Sequence, residues 1–134
     1  MKIVIDSYAW IELFKGSISG NKIKRVLEGA DVLYTPDVVL AEVARKYIRE
    51  DVSEKNVNTR LDQISANSQV VYLDSKIAYE SAKCYLQIVE NARKNKLNTP
   101  SLFDAIVLAT ARTLNAKLLT GDQHFKSFPE TVWV

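Results

Sequence analysis

Short runs rich in β-branched residues, at 2–6, 32–35, 69–73 and 117–120, are separated by stretches of helical period, and this alternation constrains the fold more than any other feature. Strands joined through helices require right-handed crossovers and a parallel sheet covered on both faces. A fifth run at 131–134 would extend that sheet. The expected architecture is therefore a three-layer α/β/α sandwich around a central, mainly parallel sheet of four to five strands. The stretch SLFDAIVLATARTL is apolar nearly all round for two turns, which places its helix in the centre of the molecule. With 134 residues, 47% of them apolar, the chain suits one domain over 1–134 with a single core.

Local signals place the helices. Residues 7–14 follow the first strand directly, and 21–28 end at Gly29, where a left-handed C-cap is expected. Pro36, with its preset φ, is read as opening a helix through Glu50. Residues 53–66 are weakly amphipathic. In 74–96, Ile77, Ser81, Tyr85, Ile88 and Ala92 form one stripe, with charged residues on the other faces. Thr99-Pro100 starts the last helix, which runs to Leu114.

Composition removes several function classes. Eighteen basic residues against 16 acidic ones rule out polyanion binding by bulk charge, so any such contact must be local. Cys84, the only cysteine, is expected as a small buried apolar group, in keeping with a reducing compartment. No signal-peptide pattern and no run of about 20 apolar residues is present, so a cytoplasmic protein without membrane contact is expected.

Four carboxylates stand in awkward places. Asp6 ends the first strand and Asp122 lies two residues past the strand KLLT, both at carboxyl ends of strands, where open parallel sheets bind ligands. Glu42 and Asp104 fall in the first two turns of helices that open onto the same edge. Each has an ordinary reading: Asp6 as a helix N-cap, Glu42 paired with Arg45 or Lys46, Asp104 in a capping box with Ser101, and Asp122 in an Asx-turn. Together they argue otherwise, because clustered carboxylates repel and take up protons unless a cation sits among them. Oxygen donors select Mg²⁺ or Mn²⁺, and His124 is the only histidine, so no Cys/His site competes.

MKIVIDSYAW, LAEVARKY, SLFDAIVLATA and LLTGDQHF, in this order, resemble the PIN-domain nucleases along the whole chain, and in particular the VapC-type ribonuclease toxins of toxin–antitoxin pairs. The resemblance implies a Mg²⁺- or Mn²⁺-dependent endoribonuclease in which Asp6, Glu42, Asp104 and Asp122 are the catalytic, metal-holding acids. It casts Ser7 and Thr120 as supporting hydroxyls. It also implies an RNA substrate cut to a 5′-phosphate and a 3′-hydroxyl, a homodimer, and a cognate antitoxin whose tail occupies a groove near the site. A PIN nuclease of ribosomal or transfer RNA processing, and a non-catalytic PIN-fold scaffold, are the alternatives. An aspartyl-phosphate enzyme fits less well, because Tyr8 stands where a phosphatase of that type has a second aspartate.

Lys15, Arg45, Lys46, Arg49, Arg112 and Lys126 are candidates for phosphate contacts, although solvated surface is the ordinary fate of each. His124 reads as a structural or turn residue. Trp10 and Tyr8 read as packing, and Phe125 and Phe128 as anchors for the loop after Asp122.

Overall fold

The computed structural model describes residues 1–134. Five strands, β1 (Lys2–Ile5), β2 (Val32–Pro36), β3 (Gln69–Val71), β4 (Lys117–Thr120) and β5 (Thr131–Trp133), form one sheet in the order β3-β2-β1-β4-β5. Every pairing is parallel, so the expected sheet is present with its fifth strand and no antiparallel member. Six α-helices connect the strands: α1 (Ser7–Lys15), α2 (Ile18–Glu28), α3 (Asp37–Arg49), α4 (Glu54–Asn67), α5 (Ser75–Lys94) and α6 (Leu102–Thr113). The chain moves outward from β1 to β3, then returns past β1 to β4. Right-handed crossovers therefore put α1 to α4 on one face and α5 with α6 on the other.

The core explains the strand and helix patterns. Ile3, Val4 and Ile5 of β1 and Leu118 and Leu119 of β4 are fully buried, as central strands covered on both sides must be. In α6, seven consecutive residues from Ala105 to Ala111 are buried, in line with its apolar circumference. Trp10 is 2% exposed, stacks on Phe14 and donates its indole N–H to Thr35 Oγ1 at 3.1 Å, so its reading as packing holds. Phe125 is fully buried with Phe128 packed against the same core, and Cys84 is buried as a free thiol. No helix is long and apolar enough to cross a membrane.

Three local expectations need correction. Pro36 does not open a helix: it pairs with Val71 as the last residue of β2, and α3 begins at Asp37, because an extended Pro36 (ψ 140°) carries the chain off the sheet first. Gly29 closes α2 with right-handed geometry (φ −90°), whereas Gly16 after α1 takes the left-handed one (φ 67°). The second helix also starts three residues early, at Ile18, because Ser17 Oγ accepts from the Gly20 N–H and caps it.

Candidate functional site

The chain reverses its winding between β1 and β4, and a crevice opens at the carboxyl ends of the strands at such a point. Asp6 lies there because its N–H continues the β1–β4 ladder, donating to the Leu119 carbonyl at 3.2 Å, before its own carbonyl starts α1. Thr120 ends β4 beside it and is fully buried. Its hydroxyl donates to Asp6 Oδ2 (2.8 Å) and accepts from the Asp122 N–H (3.0 Å), so one side chain ties the two acidic segments together. The other hydroxyl expected to support the site behaves differently: Ser7 holds Asp6 Oδ1 with its backbone N–H at 2.8 Å, while the residue lines the cleft.

Three of the acids also do the ordinary jobs their positions suggest. Asp6 N-caps α1, and Asp104 completes a capping box in which its Oδ2 accepts from the Ser101 N–H at 2.8 Å. Asp122 caps the short 3₁₀ turn of Gln123–Phe125, accepting from the His124 N–H at 2.9 Å. Glu42 is the exception. Lys46 pairs with Glu50 instead (3.2 Å), and Glu42 Oε1 is buried with no hydrogen-bond partner at all. A buried carboxylate oxygen without a donor costs free energy that something outside the chain must return.

The electrostatics agree. Burial pushes the Asp6 carboxyl up to about 7, against the pull of Thr120 and Ser7, and the charges of Asp122 and Asp104 add to it. Burial, with the charges of Asp6 and Asp104, pushes Glu42 up to about 8 despite Arg45. Asp104 is raised as well, by burial first and by Asp122 in part. The four acids therefore act on one another, yet no three close to the spacing of a finished metal cage. A hard cation such as Mg²⁺ keeps several waters and takes only a few carboxylates, the substrate phosphate completing its shell, so a closed cage is not what this donor set has to form.

His124 does more than fill a turn. Its Nδ1 lies 3.0 Å from Asp122 Oδ1 and its Nε2 lies 2.7 Å from the Asn98 carbonyl oxygen, so both nitrogens face acceptors. Burial opposes charge on the ring, but the Asn98 carbonyl and the Asp122 carboxylate outweigh it and hold its pKa above the ordinary value. The ring thus clamps Asp122 to the segment leading into α6. The motif HF after GDQ hinted at this only through Phe125.

The basic candidates divide. Lys15 and Lys46 line a cleft of about 260 Å³ with Ser7, Tyr8, Glu42 and Asp122. Arg45 is close enough to Glu42 to act on its charge. Arg112 belongs elsewhere: it donates to Glu130 Oε1 and to Gln87 Oε1, each at 2.7 Å, two turns along α6 from Asp104. Its Nε and Nη1 are engaged there, holding the turn before β5 and α5 to α6. Lys126 sits over the Trp133 ring at 5.0 Å. Tyr8, read as packing, is 36% exposed and borders the cleft.

The fold and the site together define a doubly wound α/β protein with an acidic cleft at its switch point. It belongs to the PIN-domain family, whose profile matches residues 3–130. Among solved structures, the chain superposes on the Mycobacterium tuberculosis toxin VapC20, described as cleaving the sarcin-ricin loop, with TM-score 0.72, 17% identity and 95% of each chain covered. It superposes equally on VapBC-1 of nontypeable Haemophilus influenzae, at TM-score 0.72 and 17% identity over 100% of this chain and 97% of that one. A toxin–antitoxin complex from Klebsiella pneumoniae gives TM-score 0.66 and 23% identity, over 97% and 95%. No curated protein matches the chain in sequence.

Proposed function

We propose that this chain is a metal-dependent endoribonuclease of the VapC type, the toxin of a toxin–antitoxin pair, with Asp6, Glu42, Asp104 and Asp122 as its working acids. The observation that carries this is Glu42: half-buried, its Oε1 has no hydrogen-bond partner, and its carboxyl is pushed up by burial and by the charges of Asp6, Asp104 and Asp122. Oxygen-only donors, two of them pushed up by burial and by one another's charge, fit a Mg²⁺ or Mn²⁺ ion. Asp6 and Asp104 would hold it, and Glu42 and Asp122 would complete the cluster or serve a second ion. When bound, such a cation acidifies a water and offsets the negative charge that grows on the attacked phosphate.

The chain's own residues do the rest. Thr120 fixes the Asp6 and Asp122 segments relative to each other, and the capping box aims Asp104 by one oxygen while leaving the other free. Lys15 and Lys46 draw the RNA backbone into the cleft. An antitoxin partner is supported by the likeness to toxin–antitoxin complexes. On this reading its tail lies in a groove near the site. A cytoplasmic homodimer of the single domain completes the proposal.

The test is incubation of total cellular RNA with pure protein, with Mn²⁺ or with EDTA, and sequencing of the new 5′ ends. Discrete cuts are expected with metal and none with EDTA. Undiminished cutting by Asp104→Asn protein in excess EDTA overturns the reading.

A further inference from the structure

We propose that His124 is a positioning residue of the acidic site: its ring holds the segment that leads to Asp104 against Asp122, so that both carboxylates reach one cation. The inference rests on the metal-dependent nuclease reading and deepens it. Residues 97–101, between α5 and α6, have no regular secondary structure, so no ladder or helix fixes where they lie. Their one hydrogen bond to a distant part of the chain is that of the Asn98 carbonyl with His124 Nε2, at 2.7 Å. Just beyond, past the buried Pro100 with its fixed φ, the Ser101 N–H holds Asp104 Oδ2. A shift of Asn98 is therefore carried to Asp104 along a short, stiff path.

The ring is anchored at its other end as well. His124 sits in the 3₁₀ turn that the fully buried Phe125 pins to the core, and its side chain is only 18% exposed. Its own N–H and its Nδ1 meet Asp122 Oδ1 at 2.9 and 3.0 Å, so that oxygen is engaged twice and Oδ2 is left for the cleft. Thr120 already joins Asp6 to the Asp122 segment. With His124, one path of hydrogen bonds runs from Asp6 through Asp122 to the loop that carries Asp104, and Glu42 alone stands outside it.

On charge alone the ring is a poor neighbour for a cation. Two ring nitrogens that both face acceptors make it a double donor, hence positive, and its loss would then tighten cation binding. Positioning has the opposite sign, because a hydrogen-bonded partner that orients a ligating side chain contributes roughly 10–100-fold to metal affinity. The direction of the effect thus separates the two.

The test measures Mn²⁺ binding to the full chain by electron paramagnetic resonance, without RNA. His124→Phe fills the same space with no donor, and His124→Asn keeps a donor for Asp122 but cannot reach Asn98. Each is expected to bind Mn²⁺ about tenfold more weakly than wild type, the low end of that range because loss of the charge works the other way. In an Asp122→Ala background, where the bridge is already gone, His124→Phe is expected to change nothing further. Unchanged or tighter binding by either single variant overturns the inference, and so does a further tenfold loss in the double variant. Wild type gives a check that needs no variant to fold: His124 is the only histidine, so its ring N–H signals in an NMR spectrum are unambiguous. Both are expected to exchange slowly with water and to shift when Mg²⁺ binds; a freely exchanging ring, or one that Mg²⁺ does not move, overturns the inference equally. Wild type that binds neither Mn²⁺ nor Mg²⁺ sinks the metal-dependent reading itself, a distinct result.

Discussion

The two ends of α6 hold charge on opposite terms. Near its last turn, Arg112 is met by Glu130, Gln87 and the Cys84 sulfur, with the Phe128 ring 5.8 Å away. At its first turn, Asp104 shares a sheet edge with three other acids, and the one ion pair within that group is His124 with Asp122. Both ends are partly buried, so burial of charge is not what separates them. Arg112 finds its counter-charge within the chain; on the proposed function, Asp6, Glu42 and Asp104 take theirs from a bound cation.

The sharpest way to test that contrast is to neutralise one acid. Asp6→Asn or Asp104→Asn is expected to lower metal-dependent RNA cleavage by two orders of magnitude or more. Circular dichroism should show the fold intact and the melting temperature no lower, because each change removes repulsion. A loss of fold in both variants would mean that their carboxylates are structural after all.

Next in size is the effect of pH on the metal-free protein. Unfolded Asp and Glu titrate near 4, whereas folded Asp6 and Glu42 titrate at about 7 and about 8. The folded state therefore holds protons that the unfolded state has released, and the contribution of these two groups to stability falls as pH rises from about 4 through 8. The melting temperature in EDTA should drop by several degrees between pH 6 and pH 8.5, Mn²⁺ should reverse most of the drop, and Glu42→Gln should flatten it. Differential scanning fluorimetry decides this.

At the other end of the helix the expected pattern inverts. Arg112→Met leaves the half-buried Glu130 without its partner and should cost about 2 kcal/mol, read by urea denaturation. Cleavage per folded molecule should not change. A fall in rate beyond the folded fraction would return Arg112 to the list of phosphate contacts.

This contrast was only half visible in the residues. Asp6 and Asp122 could be placed because they follow strands, and the position of a strand's end is a local property. Glu42 could be placed at the same edge from its helix, but its lack of a partner depends on Lys46 turning to Glu50, a choice made between rotamers of exposed side chains. The position of Arg112 near the end of a helix does not say that β5 will bring Glu130 to it, because that contact spans 18 residues of chain. That Gly121 makes room for Tyr8 depends on β1 and β4 being neighbours, which no local pattern carries.

The smallest effect probes whether one residue can serve both roles. Ser101 Oγ accepts from the Asp104 N–H at 3.3 Å, and the Asp104 carboxylate returns a bond to the Ser101 N–H. The box satisfies two N–H groups at the start of α6 and fixes the direction of the carboxylate. Ser101→Ala removes only the first of these bonds and should cost about 1 kcal/mol, as loss of an N-cap hydroxyl does elsewhere. The bond from the Ser101 N–H survives, so Asp104 keeps its aim and cleavage should fall no more than threefold. Ser101→Pro removes that N–H as well as the hydroxyl, freeing the carboxylate to rotate, and should lower the rate beyond Ser101→Ala by more than its further loss of stability accounts for. If the two variants lose rate only in step with stability, the cap positions nothing, and Asp104 is aimed by the packing of α6 alone.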